Sequence, residues 1–137
     1  MTQKTLPDAT HTETRTYDNN GNLQTVTHFS GAVTTYTYDQ LNRLLSRSTA
    51  NGVPSDAPVS YTYWPTGTRK TMTDASGTTS YFYDSMNRLT QKQTPEGTLT
   101  YAYDAAGNLQ SMTSNHTPGV SATYTYDDLN RLSTVPE

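Results

Sequence analysis

One seven-residue pattern recurs six times along the chain and constrains what it can fold into. The copies are Tyr17–Leu23 (YDNNGNL), Tyr38–Leu44 (YDQLNRL), Tyr63–Arg69 (YWPTGTR), Tyr83–Leu89 (YDSMNRL), Tyr103–Leu109 (YDAAGNL) and Tyr126–Leu132 (YDDLNRL). They align without gaps, and their leading tyrosines are 21, 25, 20, 20 and 23 residues apart. In five copies a second tyrosine stands two positions earlier, at Tyr36, Tyr61, Tyr81, Tyr101 and Tyr124, and these positions account for every tyrosine in the chain. Such self-similarity marks a chain built from one supersecondary unit repeated in tandem.

Each position has a physical reading. Tyr-x-Tyr after threonine, as in Thr34–Tyr38, alternates with period two among good strand formers, so a strand is expected with both rings on one face. The pairs Tyr36/Tyr38, Tyr61/Tyr63, Tyr81/Tyr83, Tyr101/Tyr103 and Tyr124/Tyr126 are therefore expected to stack from hairpin to hairpin and to carry most of the burial. Asp18, Asp39, Asp84, Asp104 and Asp127 come next, and Asp suits the first position of a type I turn, where its carboxylate accepts backbone N–H groups. Three residues on stand Gly21, Asn42, Gly67, Asn87, Gly107 and Asn130, the two residue types that tolerate a left-handed backbone. A type I turn closed by a left-handed residue is a common hairpin connection with a bulge. The third copy replaces Asp with Trp64 but follows it with Pro65, whose fixed φ suits the second turn position. The constraint is thus backbone geometry rather than a carboxylate kept for chemistry.

Composition agrees with a sheet and excludes much else. Leu, Val and Phe number 18, Ile is absent, and Thr and Ser number 40. A helical domain packed by aliphatic side chains is excluded, and a net charge of −3 argues against a nucleic-acid partner. No cysteine is present, which removes disulfides, thiolate metal sites and a Cys nucleophile. No apolar run reaches the roughly 18 residues of a membrane span, and residues 1–8 lack the apolar stretch of a signal peptide. The remaining glycines, Gly31, Gly52, Gly77, Gly97 and Gly119, fall 4 to 9 residues before a tyrosine pair and mark a second set of turns. The expected fold is all-β: tandem β-hairpins over residues 14–137 in one repeat domain, forming a curved antiparallel sheet. Residues 1–13 are expected to be a flexible lead-in and residues 50–60 a protruding loop.

The Tyr-Asp-x-x-Gly/Asn-Arg/Asn-Leu motif resembles the YD repeat of the Rhs family, which includes Rhs polymorphic toxins, the C components of Tc toxins, wall-associated bacterial proteins and the teneurins. The resemblance covers roughly residues 15–135. It implies a long antiparallel sheet of hairpins that spirals into a hollow shell, made by secreted or cell-surface proteins with many more repeats. The shell-closing segment, the autocleavage site and the toxic domain of complete family members have no counterpart in these residues.

The candidate sites are weighed on the same terms. The Asp series lacks the alternate-position acids and distal Glu of a calcium loop, so turn capping is expected and no metal. Arg43, Arg88 and Arg131 are placed to pair with Asp of a neighbouring hairpin. His11, His28 and His116 share no ligand spacing, and no hydrolase or phosphate-loop motif occurs. Trp64, at a turn position held elsewhere by Asp, is expected to be exposed and is the candidate for ligand contact, carbohydrate or receptor. The function expected is a non-catalytic structural scaffold without cofactor, a fragment of an Rhs-type shell whose partners are flanking repeats. The alternative is self-assembly of copies through open sheet edges, and the weaker one a carbohydrate- or receptor-binding module.

Overall fold

The computed structural model describes residues 2–5, 12–51 and 57–134. Among them every regular element is a strand: β1 (Thr2–Thr5), β2 (Thr12–Tyr17), β3 (Leu23–Thr27), β4 (Val33–Tyr38), β5 (Leu44–Ala50), β6 (Val59–Tyr63), β7 (Arg69–Asp74), β8 (Gly77–Tyr83), β9 (Leu89–Thr94), β10 (Gly97–Tyr103), β11 (Leu109–Ser114), β12 (Ser121–Thr123), β13 (Thr125–Tyr126) and β14 (Leu132–Thr134). The fold is all-β, a tandem series of antiparallel hairpins. The chain forms two compact units, Met1–Thr62 with Met72–Ser76 and Tyr63–Thr71 with Gly77–Glu137. In the first, β1 to β6 pair antiparallel in chain order. In the second, β8 to β12 do the same, and β13 pairs with β14.

Strand pairing reaches ahead of residue 14, since Thr2–Thr5 pair with Thr12–Arg15; residues 1 and 6–11 of the expected lead-in lie outside the described residues. So do residues 52–56 of the expected 50–60 loop, which is described only at its two ends.

Five hairpins share one register. Tyr17 faces Leu23, Tyr38 faces Leu44, Tyr83 faces Leu89, Tyr103 faces Leu109 and Tyr126 faces Leu132. One residue earlier the pairing slips, for Thr16 faces Thr25 and Thr37 faces Ser46. The residue after each motif leucine is therefore a bulge, which adds local twist to the strand. Because a one-residue slip would turn every side chain to the other face, the repeated bulge fixes the same face in each of these five hairpins. In each Tyr-x-Tyr strand both tyrosines are half-buried, while the residue between them (Thr37, Thr62, Phe82, Ala102 or Thr125) is exposed. Among the described residues the buried set is small: Val26 and Ala32 among apolar residues, Thr34 and Thr79 among polar ones. Thr34 is held by His28 Nε2 at 2.8 Å and Thr49 Oγ1 at 3.0 Å, which meets the requirement that a buried hydroxyl be bonded.

Candidate functional site

The most regular feature among the described residues is the motif turn, repeated six times. In all six, the N–H of the Gly or Asn donates to the carbonyl of the first turn residue, at 2.9–3.1 Å, and that residue's N–H donates to the carbonyl four positions on, at 2.9–3.0 Å. The closing residue has positive φ every time: Gly21 84°, Asn42 59°, Gly67 94°, Asn87 59°, Gly107 95° and Asn130 57°. The third turn makes the same two backbone bonds, Gly67 to Trp64 and Trp64 to Thr68, both 2.9 Å, with Pro65 in place and no carboxylate.

Where Asp is present it is fully occupied. Oδ1 of Asp39 accepts the N–H groups of Leu41 and Arg43, both at 2.9 Å, and Oδ2 accepts Arg43 Nε at 2.7 Å. Asp84 does the same with Met86 and Arg88, and Asp127 with Leu129 and Arg131. In the first and fifth turns an asparagine replaces the arginine: Asn22 Nδ2 donates to Asp18 Oδ2, and Asn108 Nδ2 to Asp104 Oδ2, each at 3.0 Å. The arginines thus bond the aspartate of their own turn, and not that of a neighbouring hairpin. Four residues of a tight turn bring the two side chains closer than strand spacing does.

These donors hold all five carboxyls below the usual value. The largest cause is the backbone N–H four residues on for Asp39, Asp84 and Asp127, and the asparagine amide for Asp18 and Asp104. Burial opposes the shift in each case. Burial also pushes the hydroxyls of Tyr38, Tyr83 and Tyr101 upward.

The motif tyrosine reaches across to the preceding hairpin. Tyr38 donates its hydroxyl to the Leu23 carbonyl, Tyr103 to Leu89 and Tyr126 to Leu109, at 2.9, 2.9 and 3.0 Å. The bond explains the choice of tyrosine over phenylalanine. At the bulge the leucine carbonyl needs a donor, and the ring that packs on the face delivers one.

Trp64 is half-buried rather than exposed. Its indole N–H donates to the Tyr81 carbonyl at 3.1 Å, and the Lys70 ammonium lies 4.7 Å from its ring centre. A tryptophan in a turn has a donor to satisfy, and the neighbouring strand supplies the acceptor. Beside it lies an open cleft of about 390 Å³, with Pro65, Thr68, Phe82, Tyr83 and Asn87 among its walls. His28 and His116 are far apart in the chain and each is bonded locally, His116 Nδ1 to the Glu96 carbonyl at 2.8 Å; His11 lies outside the described residues. Among the described residues no three His, Asp or Glu side chains gather as metal ligands, and no helix is long and apolar enough to cross a membrane.

This turn, in this register, also decides the family. The RHS repeat profile matches residues 17–54 and 63–99, more than half of the chain. The chain belongs to the RHS repeat family. Solved structures agree: it superposes on TcdB2-TccC3-Cdc42 with a TM-score of 0.75 at 25% identity, and on TcdB2-TccC3 with 0.72 at 26%. The Photorhabdus luminescens Tc holotoxin pore carrying a TccC3 mutation matches with a TM-score of 0.72 at 25% identity. Each match covers 89% of this chain but only 6–7% of the other, so the chain spans a small fraction of the proteins it resembles. No curated protein sequence matches it.

One property of this RHS repeat row escaped the sequence reading although the signal was there. The left-handed residue does not simply vary between Gly and Asn; it alternates strictly along the chain, Gly21, Asn42, Gly67, Asn87, Gly107, Asn130. The Asn turns all continue with arginine and are preceded by Leu41, Met86 or Leu129, which are 66–72% exposed. Two of the three Gly turns continue with asparagine.

Proposed function

We propose that this chain is a segment of an Rhs-type wall: a non-catalytic scaffold whose partners are flanking repeats of a longer, secreted or surface-borne protein. The observation that carries this reading is the third turn, which has lost the carboxylate of the motif and keeps the backbone of the other five. Side chains retained for chemistry do not tolerate such a loss; side chains retained for shape do. The rest of the motif supports the same reading. Both carboxylate oxygens of each motif Asp are committed to donors of their own turn, and the hydroxyls of Tyr38, Tyr103 and Tyr126 to neighbouring carbonyls, so these polar groups hold hairpins together. Likeness to pieces of Tc toxin proteins supplies the setting.

In such an array each unit is stabilised by its neighbours. Deleting the last hairpin, residues 124–137, should therefore accelerate amide exchange in β10 and β11 while leaving β2 and β3 unchanged. Uniform protection regardless of position, or a turnover abolished by His28→Ala or His116→Ala, would refute the scaffold. Self-association through sheet edges remains the alternative, read by light scattering as mass above that of the 15.1 kDa chain.

A second reading is favoured by the cleft beside Trp64. A fixed indole with Phe82 nearby offers apolar surface to the C–H face of a sugar ring. Calorimetric titration with monosaccharides and Trp64→Ala tests it; binding that survives the substitution, or no binding to either protein, removes it.

A further inference from the structure

The third copy of the motif departs from the other five at several places, and the departures meet at one cleft. Trp64 stands where the others have Asp, and Thr68 where they have Asn or Arg. Phe82 is the one aromatic at the centre of a Tyr-x-Tyr, a place held elsewhere by Thr or Ala. Lys70 is the one charged residue directly after the motif, where the other copies have Gln, Leu, Thr or Ser. The turn backbone does not require these changes, since its two hydrogen bonds are those of the other copies. Yet Trp64, Thr68 and Phe82 line the same open cleft of about 390 Å³. Lys70 sets its ammonium over the indole, 4.7 Å from the ring centre. All four residues belong to the second compact unit.

One departure also frees a polar group. In the second and sixth turns the asparagine oxygen is taken by the asparagine of the turn before: Asn22 Nδ2 donates to Asn42 Oδ1 at 2.8 Å, and Asn108 Nδ2 to Asn130 Oδ1 at 3.0 Å. Asn87 instead follows a turn with Thr68 at that place, whose hydroxyl is bonded to Thr66 at 3.1 Å. Among the described residues the Asn87 side chain makes no hydrogen bond. Its amide, with donors and an acceptor, lines the cleft.

The charges around the cleft are unequal. Asp84 on its wall is neutralised by Arg88, whose Nε lies 2.7 Å from Oδ2. Lys70 has no carboxylate partner among the described residues. Its attraction to the indole holds the charge beside the cleft. Apolar walls with a few polar groups that fix orientation are the make-up of a small-ligand site, and here the one uncompensated charge is positive.

We propose that the cleft beside Trp64 is a binding site for an acidic sugar, a hexuronate. The C–H face of its ring rests against Phe82 and the indole, its hydroxyls bond the Asn87 amide, and its carboxylate pairs with Lys70. The proposal rests on the carbohydrate reading above and adds to it the class of sugar. A neutral sugar would use the same walls and leave Lys70 without a partner.

Trp64 is the only tryptophan of the chain, so its fluorescence, excited where tyrosine does not absorb, reports on this cleft alone. The titrants are sodium glucuronate, the uncharged methyl ester of glucuronic acid, glucose, and sodium acetate as a bare carboxylate. Glucuronate should saturate the signal at a concentration about fivefold lower than its ester or glucose, the upper worth of an exposed ion pair. That advantage should shrink as sodium chloride is added. Lys70→Gln should abolish it and leave binding of the ester and glucose in place. Phe82→Thr, which gives this Tyr-x-Tyr the threonine of three other copies, should weaken glucuronate and ester alike. Equal binding of glucuronate and ester, or an advantage that survives Lys70→Gln, overturns the acidic class and leaves the carbohydrate reading standing. Acetate acting as strongly as glucuronate overturns the need for a sugar ring. No saturable response to any of the sugars removes the proposal and the carbohydrate reading together.

Discussion

The six motif turns repeat one backbone to within 0.2 Å in their hydrogen bonds; the described connections that alternate with them take three different forms, only Asp74–Gly77 and Thr94–Gly97 sharing one. His28–Ala32 closes with a left-handed Gly31. Thr94 and Gly97 pair across two residues. Asp74 caps Ser76 through its side chain. Ser114 N–H reaches the Val120 carbonyl over five exposed residues. Both sets of turns join the same kinds of strand, so strand pairing does not demand uniformity. The difference teaches that register is set once per hairpin, at the motif turn with its bulge. The opposite connection need only return the chain, and is free to vary in length.

The largest way to break this contrast is acid, because it reaches all five aspartate turns together. Their carboxyls titrate below the ordinary value of about 3.9 in the folded chain, so the unfolded chain takes up protons first. The stability they confer is present above that value and is lost as pH falls through the depressed folded values. Thermal melts between pH 7 and pH 2 should show a plateau and then a fall beginning below about pH 4. Asp39→Asn with Asp84→Asn should flatten that fall; an unchanged acid limb would mean that the carboxylates do not hold the turns. Next comes Asn87→Val, which forces a β-branched side chain to a φ of 59° and should cost about 1–3 kcal/mol in urea unfolding. The same valine at Thr113, an exposed strand position near the variable end, should be close to neutral.

A smaller effect sharpens the comparison from the tyrosine side. Tyr103→Phe keeps the ring on the face and under Arg88, but removes the donor to the Leu89 carbonyl. The expected loss is about 0.5–1.5 kcal/mol, measured by chemical unfolding. Tyr101→Phe, which leaves every described bond between turns intact, is the control. Equal losses would reassign the value of Tyr103 from its hydroxyl to its position.

The motif end was legible in the sequence because its constraints are local. A left-handed residue admits few side chains, so Gly and Asn at one spacing reveal the turn, and Pro65 reveals how Trp64 is accommodated. Strand faces were legible for the same reason: Tyr-x-Tyr has the period of a sheet. What lay beyond reach was anything decided between turns. Arg43, Arg88 and Arg131 have donors for any nearby carboxylate, and only the path of the turn shows that their own aspartate is nearest. Trp64 looks exposed when the turn is read alone, and its burial comes from the Tyr81 carbonyl of another strand. The alternation of Gly and Asn stood in plain sight, but within one turn the two residues are equivalent. The distinction acquires meaning only between turns, where Asn22 Nδ2 donates to Asn42 Oδ1 at 2.8 Å.

The smallest expected effect is the most direct test of unequal ends. Four Gly/Ser residues inserted between His116 and Thr117 nearly double the five-residue connection from Ser114 to Val120. Closing a doubled flexible loop costs only about 0.6 kcal/mol, and the flanking strands β11 and β12 keep their pairing of Thr113 with Ser121. The same four residues inserted between Ala105 and Ala106 separate Asp104 from both Gly107 and Asn108, which it bonds through carbonyl and carboxylate. They also move Leu109 out of the register that faces it to Tyr103, and with it the carbonyl that receives Tyr126. One insertion lengthens a loop; the other removes the device that phases two hairpins. If urea midpoints fell equally for both, the motif turn would be an ordinary connector, and register would have to come from the strands themselves.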